Sequence, residues 1–191
     1  MTTIYAFVLA YCMLLVPHGR DHTAFALGTA AAIADSEPIF KDDKDKKKTA
    51  AFMVAIAFRE SSFRTGITGD SGKSFGAFQI HLPYKKKTIE GWSGEDILAD
   101  PEKGARIALR MIHESIRACP AHPLAVYAEG GEGCSSPRAQ RISKDRLTLG
   151  KWLERNGHVD PATLAEADEE RSSHTAVFAQ TARGPRASAS P

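Results

Sequence analysis

The 191-residue chain is short of the features that commit a sequence to a specialised class. It has three cysteines and no C-x-x-C pair, which removes zinc ribbons. Lys+Arg 25 against Asp+Glu 23 leaves a formal charge of +2, too small to point to nucleic acid. There are no sustained heptads and no repeat of about 20 to 50 residues, so coiled coils and solenoids drop out. Long hydrophobic runs are missing too. The longest, residues 4–16, falls below the roughly 17 to 25 residues needed to span a bilayer, and Pro17, His18 and Arg20 stop it. No integral membrane span is expected. What remains is 42% hydrophobic and 8% aromatic, the composition of one globular domain with short appendages.

The first 23 residues admit two readings. The apolar run suits the h-region of a secretory signal, but Met1, Thr2 and Thr3 supply no basic residue and no small-x-small site follows before Arg20. A lipoprotein site at Cys12 is excluded by bulky Tyr11 and by the apolar residues that continue past it. Alternatively the run is a first core helix with Cys12 buried.

Beyond it, residues 24–34 are Ala-rich and read as a helix ending near Asp35. The stretch 41–48, KDDKDKKK, reads as a solvated loop. Residues 49–63 form the most informative helix, with Thr49 as N-cap and an apolar stretch on nearly every side. Such a helix belongs in the interior. A Gly-rich turn follows over 67–73, then one or two short strands over 74–81 and an irregular segment over 84–97 that contains Trp92. Asp100 caps a long helix with Pro101 and Glu102 in its first turn and a stripe of Ala105, Leu109, Ile112 and Ile116; the helix stops at Pro120. Helices are expected again at 123–127 and 143–154. The domain then spans 24–156, and 157–191, acidic and later rich in Ser, Ala, Pro and Arg, is expected to be a disordered tail.

Glu60 is the first candidate for chemistry. Phe52, Ile56 and Glu60 are spaced by four, which places a carboxyl on a stripe that should be buried. Desolvation and the negative end of the helix dipole both favour its protonated form. Those are the needs of a general acid, although an ion pair with Arg59 or Arg64 at the helix end would explain the residue equally well. Three other motifs fail. Gly69-Asp70-Ser71-Gly72 has the sequence of a serine-protease nucleophile but sits after only 70 mostly helical residues. Gly72-Lys73-Ser74 lacks the upstream glycine of a phosphate loop, and His113-Glu114 finds Arg117 where a zinc helix needs a second His. No metal site and no cofactor are expected.

The residues after Glu60 add a pattern. Glu60-Ser61-Ser62-Phe63, then Gly69-Asp70-Ser71-Gly72-Lys73-Ser74-Phe75-Gly76-Ala77-Phe78-Gln79-Ile80, resembles the active-site signature of lytic transglycosylases and goose-type lysozymes. The order of later segments is similar as well: the long helix from Asp100, Leu124-Ala125-Val126-Tyr127 before Gly130, and a closing helix around Arg146 to Trp152. The resemblance covers roughly residues 24 to 155. It implies a mainly α, α+β lysozyme-like fold in which a small β-hairpin element lines the cleft. It implies Glu60 as the catalytic acid, Asp70 as the one matching second acid, and Ser61, Gln79, His81 and Tyr127 as substrate-binding, the hydroxyl of Tyr127 reaching the catalytic carboxyl. Two departures stand out: Ala128 replaces the Asn of the usual Tyr-Asn-x-Gly, and His81 occupies a place where goose-type lysozymes carry a further acid.

The expected activity is cleavage of the β-1,4 bond between N-acetylmuramic acid and N-acetylglucosamine, with peptidoglycan strands as partner and the protein a monomer. An anhydro-forming transglycosylase is favoured, because internal attack needs only one carboxylate. A hydrolytic goose-type lysozyme and a non-catalytic glycan-binding module are the alternatives. Cys119 and Cys134 flank the Tyr127 segment and are either a disulfide or two free thiols. A bond would favour an extracytoplasmic setting, periplasmic, secreted or on a phage particle.

Overall fold

The computed structural model describes residues 2–16, 22–83 and 86–157. Most of the expected tail, 158–191, therefore lies outside the described residues. Seven α-helices and a three-stranded antiparallel sheet make up the described chain: α1 (Thr2–Leu15), α2 (Thr23–Ala34), α3 (Lys47–Ser61), β1 (Thr68–Gly69), β2 (Ser74–Phe75), β3 (Ile80–His81), α4 (Gly94–Ala99), α5 (Pro101–Ala118), α6 (Ala125–Glu129) and α7 (Pro137–Asn156). The architecture is mainly helical with a small sheet, as expected.

The apolar helix α3 lies at the centre, with every residue from Ala50 to Ala57 buried. Its most extensive partner is α7, while α2 packs against α5 and α1 touches both α2 and α3. Two glycines let these helices approach. A Cβ at Gly150 of α7 would sit 2.9 Å from the Phe52 ring of α3, and one at Gly28 of α2 would sit 2.6 Å from the Glu102 amide of α5. Helix α1 contributes Tyr5, Val8, Tyr11 and Cys12 to the main core, so the first apolar run is packed as a core element. Among the described residues no helix is long and apolar enough to cross a membrane.

Thr49 is not the N-cap of α3. The helix begins two residues earlier, and Thr49 Oγ1 instead accepts from the Ile39 amide. Asp43, buried at 4% exposure, does the capping from outside the helix: its carboxylate accepts from the amides of Lys48 and Thr49. Lys46 adds a second tie, donating from Nζ to the carbonyls of Ile33, Ala34 and Ser36 at the end of α2. Free carbonyls at a helix C-terminus attract a cation, and free amides at an N-terminus attract a carboxylate. The charged stretch 41–48 is thus a clasp between two helix ends rather than a merely solvated loop.

Two further differences have local causes. The segment read as irregular contains the first four residues of α4, held by a reciprocal box in which Ser93 Oγ accepts from the Asp96 amide and the Asp96 carboxylate accepts from the Ser93 amide. Helix α7 starts at Pro137, six residues before the expected 143, because Ser136 caps it through the Ala139 amide and proline suits its first position.

Cys119 and Cys134 are joined, with a Cα–Cα distance of 5.6 Å. The bond encloses α6 and links the end of α5 to the approach of α7. Cys12 is free and buried.

Candidate functional site

Helix α3 stops one residue after Glu60. Ser62 and Phe63 both take left-handed backbone conformations, with φ of 53° and 67°, and the Ser62 amide donates back to Phe58. Phe63 turns inward against His22, Phe25 and Phe58. The aromatic burial offsets the cost of a non-glycine residue at positive φ. Glu60 is left in the last helical turn, its side chain 21% exposed.

Burial pushes the Glu60 carboxyl above its ordinary value; Arg146 opposes that shift and Asp70 adds to it. Arg146 comes from the middle of α7, is 6% exposed, and its Nη2 donates to Glu60 Oε1. Its guanidinium carbon also lies 5.7 Å from the centre of the Tyr127 ring. The hydroxyl of Tyr127 donates to the Phe78 carbonyl at 2.9 Å, so the hydrogen bond it makes is to the β-element and not to the Glu60 carboxyl. Burial drives the phenol far above its usual range, with the charge on Glu60 adding to the effect. Tyr127 therefore stays a neutral donor, which fixes Phe78 and, through it, the turn before β3.

The sheet brings the second group of candidates together. β1 pairs with β2 in the register Thr68 to Phe75, and β2 with β3 in the register Ser74 to His81. The connecting turns place Asp70, Ser71 and Gln79 at positive φ. Pairing sets Ser74 opposite His81 and near the β1–β2 turn. Ser74 Oγ donates to Asp70 Oδ2, and His81 Nδ1 lies 3.8 Å from the same oxygen and 3.3 Å from Ser74 Oγ. Asp70 is exposed yet oriented by a buried hydroxyl.

The remaining candidates divide. Gln79 donates from Nε2 to the Gly76 carbonyl at 2.8 Å, and its Oε1 occupies the space where Gly69 lacks a side chain. Ser61 is buried at 3% exposure and its hydroxyl donates to the Ala77 carbonyl at 2.8 Å. That bond ties the end of α3 to the turn before β3, so Ser61 is a structural tie and has no surface for a substrate. Among the described residues no cluster of His, Cys, Asp or Glu is arranged to hold a metal ion.

Arg146 is not among the site residues expected from the sequence, although a signal is present. Ala139, Ser143, Arg146, Gly150 and Leu153 are the buried residues of α7, spaced by four, three, four and three. That is the same stripe argument that identified Glu60, applied to a cation. No family model, curated protein or solved structure matches the chain.

Proposed function

We propose that the protein is a peptidoglycan-degrading glycosidase of lysozyme-like architecture, with Glu60 as general acid and then general base. The observation that carries this reading is a carboxyl held at the end of a buried helix, its pKa raised by burial, beside a turn that presents a second, exposed carboxylate. A carboxyl shifted in that direction holds its proton to higher pH than an ordinary glutamate and can deliver it to a glycosidic oxygen. The resemblance of the stretch from Glu60 to Ile80 to the transglycosylase signature supports the same chemistry.

In the anhydro-forming route, Glu60 protonates the leaving oxygen as the bond from the sugar C1 breaks. The substrate's acetamido group stabilises the positive charge. The C6 hydroxyl then attacks C1 and returns its proton to Glu60. In the hydrolytic route a water replaces the C6 hydroxyl, with Asp70 activating it. The orientation of Asp70 by Ser74 favours keeping this second reading. The Cys119–Cys134 bond fits action outside the cytoplasm.

Glu60→Gln should lower clearing of a bacterial wall suspension by a factor on the order of 10³ while leaving the circular dichroism unchanged, since the amide keeps the shape and loses the proton. Retention of most of the rate removes Glu60 as the acid, whereas a wild-type protein that does not clear the suspension removes the glycosidase reading and leaves a glycan-binding module. Mass spectrometry of the digest then separates the routes. Products lighter by one water mark the transglycosylase; reducing ends, with Asp70→Asn inactive, mark the lysozyme.

A further inference from the structure

A buried arginine is costly. Removing a guanidinium from water is offset only by close, well-made contacts, and a buried ion pair is often no more stable than apolar residues of the same volume. Arg146 is the one Lys or Arg among the described residues that is buried. Its partners do not spread that cost. Nη2 meets Glu60, while Nε and Nη1 are buried without an acceptor among the described residues. Other arginines of the chain divide their charge or spend it elsewhere. Arg106 serves Asp35 and Glu102, Arg110 serves Glu90 and Glu114, and Arg59 serves Asp145. The whole charge of Arg146 is left facing one carboxyl.

We infer that Arg146 is a positioning residue for the reaction proposed above: it fixes Glu60 Oε1 in the last turn of α3 and stabilises the carboxylate that forms when Glu60 gives its proton away. The inference rests on the glycosidase reading. Before proton transfer the contact joins an ion to a neutral acid; afterwards it joins two opposite charges in a desolvated setting. An interaction that strengthens along the reaction lowers the barrier, whereas one that is equal throughout does not. When the C6 hydroxyl or a water returns its proton, the same guanidinium holds the base in place.

Geometry keeps Arg146 in this role. It rises from the buried stripe of a 20-residue helix, and the face of Tyr127 supports it. The other groups that face Glu60 do not duplicate it. Asp70, on the β1–β2 turn, acts with the opposite sign. The hydroxyl of Tyr127, from α6, is spent on Phe78. On α3 itself Arg59 is paired with Asp145, and just beyond it Arg64 donates from Nε to the Ser61 carbonyl.

The test reads Glu60 directly. In the full-length protein with 13C-labelled glutamate, the Glu60 carboxyl is titrated by NMR in wild type, Arg146→Gln and Arg146→Lys, and kcat/KM on peptidoglycan is followed against pH. Arg146→Gln should move the Glu60 titration to higher pH and carry the alkaline limb of the rate profile with it. The maximal kcat should fall about 10²-fold, with KM little changed. Arg146→Lys should return the titration most of the way and the rate only in part, because a point charge lacks the fork of the guanidinium. A Glu60 titration that does not move overturns the inference. So does one that moves while the alkaline limb stays where it was. Should Arg146→Gln not fold, Arg146→Met, which fills similar space without a charge, carries the same comparison. These failures are distinct from an active Glu60→Gln, which would remove Glu60 as the acid and with it the reading this inference rests on.

Discussion

Glu60 bears on stability as well as on the proposed chemistry. Its carboxyl titrates higher in the folded protein than in the unfolded chain, so folding binds a proton between the two values. The stabilisation is complete below the unfolded value, about pH 4.3, and is lost as pH rises through the folded value. Glu60→Gln cannot titrate but retains an oxygen for Arg146. Urea midpoints measured at intervals from about pH 4 to about pH 7 should therefore show wild type losing ground to Glu60→Gln as pH rises. A constant difference would mean that burial does not control this carboxyl. At this scale Glu60 was legible because Phe52 and Ile56 precede it by whole helical turns. Its partner was not, since 86 residues separate the two and α7 carries basic residues on several faces. The positive φ at Asp70, Ser71 and Gln79 was equally hidden: none of these is glycine, and at Asp70 and Gln79 the side chains are held by hydrogen bonds from Ser74 and to Gly76.

Among the elements, the seam between α3 and α7 decides whether the acid and its guanidinium meet. Gly150 permits the seam, because any side chain there would strike the ring of Phe52. Gly150→Ala should cost about 1 to 3 kcal/mol in denaturant unfolding and lower activity by displacing Arg146 from Glu60. Unchanged stability would show that the ring has room to move. The interior helix and the long capped helix were readable from the sequence, as apolar crowding in one and Asp100 with Pro101 in the other are local signals. The start of α3 was misread for a physical reason. Asp43 caps it from four residues before its first residue, and a cap supplied across a loop leaves no mark at the N-cap position, where Lys46 stands. The three two-residue strands were legible only as a strand-like region, too short for alternation to show their register.

At the scale of the whole molecule, the Cys119–Cys134 bond is the only covalent link between distant parts of the described chain, and Tyr127 lies inside the loop it closes. Loop-closure entropy puts its stabilisation near 3 kcal/mol. Thiol titration in denaturant without reductant should find one free thiol, Cys12; three would show that the bond is absent. Tyr127 reaches across to hold Phe78, and Phe78 precedes Gln79 and β3. A reductant would therefore loosen the side of the site formed by α6 while α3 and α7 stay packed. Wall-clearing activity should fall at reductant concentrations that lower the unfolding midpoint yet leave the protein folded under assay conditions; loss of activity only where the fold itself is lost would make the bond only a general brace. On the proposed reading, the bond would then act as a switch on location: the chain would remain weak against glycan strands while thiols are kept reduced and gain its full grip on reaching an oxidising space.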